Sequence, residues 1–197
     1  MIQIKDLGTF EAVPEIVIDI VKGNIKALEN ALIDGWDIHK PIQLDNYSEY
    51  SPLELALVIN CLPSVQWLVE HGVDLNEEEN PSFLLVVRYG TKKIIEYVVS
   101  HGANIHALNC VKLDAFEAAL YGKKYENLQI IHDLGHTVQK YGGKAFRNAI
   151  TDRNYKVLDF FINNGVDINY NKPDSVYPFK PTPLCVAAVS YTHLTLP

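Results

Sequence analysis

No stretch of this 197-residue sequence stays apolar long enough to span a bilayer, and the opening MIQIKDLGTF lacks the basic segment and apolar core of a secretion signal. Membrane insertion and secretion are not expected; the setting implied is intracellular and cytoplasmic. Cysteine is sparse. Cys61, Cys110 and Cys185 are odd in number, widely spaced and never in a C-x-x-C pair, which excludes a redox pair or zinc knuckle and leaves reduced, buried thiols as the expectation. Excess positive charge is also missing. A net charge of -7 works against general attraction to phosphate backbones, so nucleic acid is not an expected partner, although a local basic patch remains compatible with it. What is present is apolar material, 48% of the residues, enough for one well-buried domain or a short repeat array.

That apolar material is periodic over long distances. Five segments end in a helical stripe closed by glycine and a polar tail: LIDGWDIH, LVEHGVDLN, VVSHGANIH, IHDLGHTVQ and FINNGVDIN. Nineteen residues before each glycine (Gly35, Gly72, Gly102, Gly135, Gly165) stands an apolar residue: Ile16, Leu53, Phe83, Phe116 and Phe146. Successive glycines lie 37, 30, 33 and 30 residues apart, so the length variation falls between units and not within them. In the second helix of each unit apolar residues recur as pairs one turn apart, as in Ile94, Ile95, Val98 and Val99, which buries one helix face. Ser64 interrupts the pattern in one unit, and Asn127 with His132 follow it least well, so the fourth unit is expected to pack most loosely. Each terminal glycine suits a left-handed position beyond the helix end, where a side chain costs roughly 1 kcal/mol. First helices carry small or modest residues where helices approach closely (Ala56, Val86, Ala119, Ala149, Ala187), and Ser51-Pro52 and Thr182-Pro183 read as helix starts.

On these residues the chain resembles the ankyrin repeat family: SPLELALVIN through VQWLVEHGVDLNE, and KKIIEYVVSHGANIHA, are similar to its repeats, with the match running from about Ile16 to Ala188. Pro81-Ser82-Phe83, Asp114-Ala115-Phe116 and Lys144-Ala145-Phe146 depart from the family's T-P-L. The resemblance implies an all-α solenoid of helix-turn-helix units linked by hairpin-like loops. The units fall at about 14–40, 51–77, 81–107, 114–140 and 144–170, with a partial sixth at 182–190. Residues 191–197 read as a non-repeat tail similar to translated vector sequence. With no second helix for the sixth unit, the chain reads as a fragment of a longer repeat protein.

Catalytic and metal chemistry find little support. His132 and His136 are spaced for one helix face, but Gly135 closes that helix between them; His71 and His101 share the position before the capping glycine, and His39 and His106 the tail position of Asn76 and Asn169. Tyr141-Gly142-Gly143-Lys144-Ala145 lacks the remaining residues of a phosphate loop and reads as a short hairpin. Asp37, Asp74 and Asp167 sit at repeat tails, and Glu77 to Glu79 form a solvated run. No enzyme activity, metal or cofactor is expected.

The resemblance instead implies a protein-binding surface on loop tips and on the exposed side of each first helix. Mapped residue by residue, it takes Tyr47, Ser48 and Tyr50 from one tip and Val58 and Ile59 from the helix after it. The next unit supplies Glu77, Glu78, Asn80, Arg88 and Tyr89. Lys112, Leu113 and Tyr121 follow, then Tyr141, Thr151 and Asp152. Tyrosine and arginine are common interface anchors. The function expected is a monomeric protein-protein interaction module; the alternative is a regulatory or targeting arm of a larger multidomain enzyme, such as a ligase or kinase, whose catalytic part is absent.

Overall fold

A computed structural model describes residues 2–4, 6–173, 179 and 181–192, with residues 191 and 192 in backbone only. Helices dominate it, as the sequence leads one to expect. A hairpin of β1 (Ile2–Ile4) and β2 (Gly8–Phe10) comes first and buries Ile4 and Phe10. Five helix pairs follow: α1 (Glu15–Lys22) with α2 (Ile25–Ile33), α3 (Pro52–Val58) with α4 (Leu62–Glu70), α5 (Ser82–Tyr89) with α6 (Lys92–Ser100), α7 (Ala115–Tyr121) with α8 (Asn127–Asp133), and α9 (Val138–Thr151) with α10 (Tyr155–Asn163). A last helix, α11 (Pro183–Thr192), packs on α9. Odd-numbered helices stack in sequence from α1 to α11, while α2, α4 and α6 form a second layer behind them. One continuous apolar core runs between the layers, from Ile4 and Phe10 to Val166 and Val186.

The local reasons are those the residue types suggest. Ser51 caps α3 by accepting from the Glu54 amide at 3.1 Å while the Glu54 carboxylate accepts from the Ser51 amide at 2.7 Å. Asp114 and Glu117 repeat this at α7. The five unit-closing glycines all have φ between +76° and +103°. Two residues after four of them, Asp37, Asp74, Asn104 and Asp167 accept from the backbone amide two positions on, which is the structural work of those acids. Gly102 has no atom within 4 Å of a built Cβ, so Gly102→Ala should cost only the conformational term, about 1 kcal/mol in urea unfolding followed by circular dichroism. An unchanged midpoint would be at odds with the left-handed requirement.

Four expectations need correction. Among the described residues one inter-unit connection is a strand hairpin, β3 (Ile42–Gln43) against β4 (Glu49–Tyr50); residues 103–114 turn without a ladder. The presumed hairpin at Tyr141 to Ala145 lies inside α9, so the 141–143 gap between the fourth and fifth units falls in mid-helix. Thr137 stands where the other tails have the turn-forming Asp or Asn, and the His132 ring accepts the Val138 amide at 3.1 Å, so the chain starts a helix there. Gly142 and Gly143 serve close packing: a Cβ on Gly143 would meet the Tyr170 ring at 2.2 Å, and one on Gly142 the Phe161 ring at 3.1 Å. The cysteines are free, but Cys110 and Cys185 are exposed and Cys61 half-buried, since none sits on a core stripe. Finally, Asn127 is buried and donates to the Val87 and Gly90 carbonyls at 3.0 and 3.3 Å, as Ser64 donates to Ile20 at 2.6 Å; these polar interruptions of the stripe tie each second helix to the preceding unit. α8 is nevertheless the shortest second helix, with 7 residues. Of the non-repeat tail, residues 193–197 lie outside the described residues, and α11 carries helix up to Thr192.

Candidate functional site

Stacking the odd-numbered helices leaves their outer faces as a shallow groove with two rims. The loops that precede α3, α5 and α7 form one rim; the turns that follow those helices form the other. α7, with 7 residues from Ala115 to Tyr121, is about 10 Å long and sets the separation of the rims there.

Tyr47 stands almost wholly exposed at the first loop tip, where Asp45 accepts its backbone amide at 2.8 Å. That bond, the largest influence on Asp45, holds its carboxyl below the usual carboxylate range. Ser48 is half-buried and closes the same turn through its carbonyl. Tyr50, half-buried on β4, has its phenol pushed up by burial first and then by the charges of Tyr89 and Glu54. Arg88 is exposed with its guanidinium 5.0 Å from the Tyr89 ring centroid. Glu77 and Glu78 are exposed, and burial with the carboxylates of Glu54, Asp74 and Glu79 raises Glu77. Asn80 donates to Glu54 of the preceding unit, along the loop rim. A small hollow beside it is lined by Leu84, Leu85, Arg88, Asn109, Leu113 and Ala118.

The remaining expected residues divide. Lys112 holds a left-handed backbone (φ +58°) at the third loop tip, and its carbonyl accepts from Lys144 Nζ at 3.1 Å. Tyr121, Thr151 and Asp152 are exposed on the turn rim, and Ile59 is half-buried there. Val58, the last residue of α3, is buried at 4% exposure and does not belong to the surface. Tyr141 is no loop tip. It lies on α9, half-buried, stacked on His136 with ring centroids 4.1 Å apart and on His106 at 4.9 Å.

Two clusters escape sequence reasoning. In the first, His106 and His136 place their Nδ1 atoms 3.1 Å apart, one donating and the other accepting, and His136 is 1% exposed with the edge of Phe116 beside it. Desolvation, then His106 and Lys140, lower the His136 pKa to about 4. In the second, the buried Glu117 pairs with Lys144 at 2.8 Å and accepts from Asn148 at 3.2 Å, next to the buried Asp114. Burial, then Glu117, raises the Asp114 pKa to about 7. The partners stand about thirty residues apart, so only the repeat register relates them. His71 and His101 do what their shared position suggests: each Nδ1 donates to the carbonyl one turn back, of Trp67 at 2.7 Å and Tyr97 at 2.8 Å. Among the described residues no three histidine, cysteine or acidic side chains converge to hold a metal, and no helix is long and apolar enough to cross a membrane.

No family model matches the chain. Among curated proteins it is similar to human Ankyrin repeat and SOCS box protein 2, at 28% identity over 114 residues, covering 54% of this chain and 18% of that protein. The chain thus spans less than a fifth of the length of this relative. The likeness hints at ankyrin repeats.

Proposed function

We propose that the chain is an ankyrin-type solenoid of five helix-pair units, with α11 as the first helix of a sixth, that binds a partner protein along the groove. One observation carries this reading: the first helices stack in unbroken order, so Tyr47, Tyr50, Arg88, Tyr89 and Lys112 line one continuous face although they are scattered over the sequence. The human relative supports it, since ankyrin-repeat proteins generally bind protein partners. Tyr50 and Tyr89 offer large apolar rings with polar tips, and Arg88 a planar donor, the side chains in which interface energy concentrates.

The test is affinity capture with the full chain, followed by titration of the captured partner against Tyr47→Ala and Arg88→Ala variants. A single anchor of this kind is worth about 2 kcal/mol, a weakening of roughly thirtyfold. Equal affinity with an unchanged melting curve would remove the groove as the site. A second reading rests on the relative's length and name: it carries a SOCS box beside its repeats, and a repeat array acting as the targeting arm of a longer protein, enzyme or not, fits the same groove.

A further inference from the structure

Seven residues after each apolar anchor, at the turn joining the two helices of a unit, stand Gly23, Asn60, Gly90, Lys123 and Arg153. Four of these five are left-handed, with φ of 66°, 59°, 55° and 53° at Gly23, Asn60, Lys123 and Arg153. Glycine and asparagine take that conformation at little cost; lysine and arginine are strained by it. The fourth and fifth units therefore keep cations where the first and second use the residues that suit the backbone.

The same edge is basic and aromatic. Over the third to fifth units it carries Lys92, Lys93, Lys123, Lys124, Arg153 and Lys156. Nearby acids neutralise part of this: Lys92 lies 3.6 Å from Glu96, Lys124 lies 3.8 Å from Glu126, and Asp152 is exposed on the fifth turn. One arm of Arg153 donates to the Ser190 carbonyl at 2.8 Å. Among the described residues Lys93, Lys123 and Lys156 enter no ion pair. Tyr121, Tyr125 and Tyr155 are 59%, 42% and 62% exposed between these cations. The turns of the second, third and fourth units abut, since Asn60 accepts the Thr91 amide at 3.0 Å and the Arg88 carbonyl lies against Gly122, and α9 packs on α7 to bring the fifth unit alongside.

We infer that this edge docks a short acidic peptide segment of a partner protein. Neighbouring units repeat at about 10 Å, so three turns span about 20 Å, the reach of some six extended residues. A local surplus of a few positive charges suits carboxylates spaced along such a segment. The whole chain, at -7 with Glu77 to Glu79 on the opposite rim, repels a long polyanion, which disfavours nucleic acid or an anionic bilayer. The exposed phenols of Tyr121 and Tyr125 add ring contact and donors for carboxylate oxygens. This surface is the turn rim and shares Tyr121 with the groove, but the loop-tip residues Tyr47 and Lys112 lie off it, so it does not depend on the loop tips being a site.

The test uses the full chain and a fluorescein-labelled decapeptide of alternating glutamate and glycine, with single-stranded DNA and phosphatidylserine vesicles as competing probes. Lys123→Gly relieves the backbone, so it should raise the melting midpoint; combined with Lys156→Ala it should weaken peptide binding roughly tenfold. Tyr47→Ala should leave the peptide affinity unchanged, which separates this surface from the loop tips. The inference is overturned if the double variant binds the peptide as wild type does, or if DNA or vesicles bind the wild type more tightly than the peptide.

Discussion

Replacing Gly122 with alanine is expected to destabilise the chain by about 3 kcal/mol, the upper part of the range for forcing atoms into a packed interior. Gly122 follows α7 with φ -76°, a conformation alanine adopts freely, so the cost is not one of backbone preference. The obstacle is the neighbouring unit: a Cβ would sit 1.9 Å from the Arg88 carbonyl oxygen and 2.7 Å from its carbon. Backbone cannot step aside as a side chain tip does, so α5 and α7 would have to separate, and they share the buried Phe83, Val86, Phe116 and Ala119. Chemical denaturation of both variants gives the comparison, since Gly102→Ala should cost only about 1 kcal/mol. Similar losses at the two positions would mean that the close approach carries no weight.

Acidity should reveal two buried groups that work against each other. His136 has a folded-state pKa of about 4 against 6.5 in the unfolded chain. Between these values the unfolded state binds more protons, so its contribution is complete above pH 6.5 and is lost as pH falls towards 4. The loss is roughly 3 kcal/mol. Asp114, raised to about 7 from 3.8, has the reverse sign: the folded state holds the extra proton, and its contribution is lost as pH rises from about 4 to 7. In the wild type the two offset each other, and the stability curve between pH 4 and 6.5 should be flatter than either group alone would make it. Variants separate them. His136→Phe keeps a ring against Tyr141 and Phe116 but cannot titrate, so relative to wild type it should gain stability as pH is lowered from 6.5 to 4. Asp114→Ser keeps a capping oxygen, as Ser51 does at α3, and should gain relative to wild type as pH is raised from 4 to 7. Stability curves running parallel to wild type would show that neither group is buried in the state that unfolds.

Legibility in the sequence followed the range of the interactions. The five helix pairs, their closing glycines and the Ser51 cap are set by contacts within a few residues, and Leu53, Phe83, Phe116 and Phe146 are all buried as their spacing implies. The rims were legible only in part. Val58 looks like a surface residue because the residues at the same place in later units are Arg88, Tyr121 and Thr151; it is covered by its neighbours where those three are exposed, which depends on packing around the helix end and not on residue type. Gly142-Gly143 reads as a turn because glycine usually relaxes backbone, whereas here it makes room for Tyr170 and Phe161, which arrive from the next helix and its tail. A signal for the basic turn edge did exist: aligning the position seven residues after each anchor sets Lys123 and Arg153 beside Gly23 and Asn60.

By itself the sequence determined the repeating helix pair, since apolar stripes, capping residues and left-handed glycines act over one or two turns and hold their meaning wherever the unit is placed. Only the tertiary structure decided which polar residues are buried and which charges share a surface. Stacking brings together residues about thirty positions apart, and it removes from water His136, Asp114 and Glu117, whose chemistry then follows from their neighbours in space.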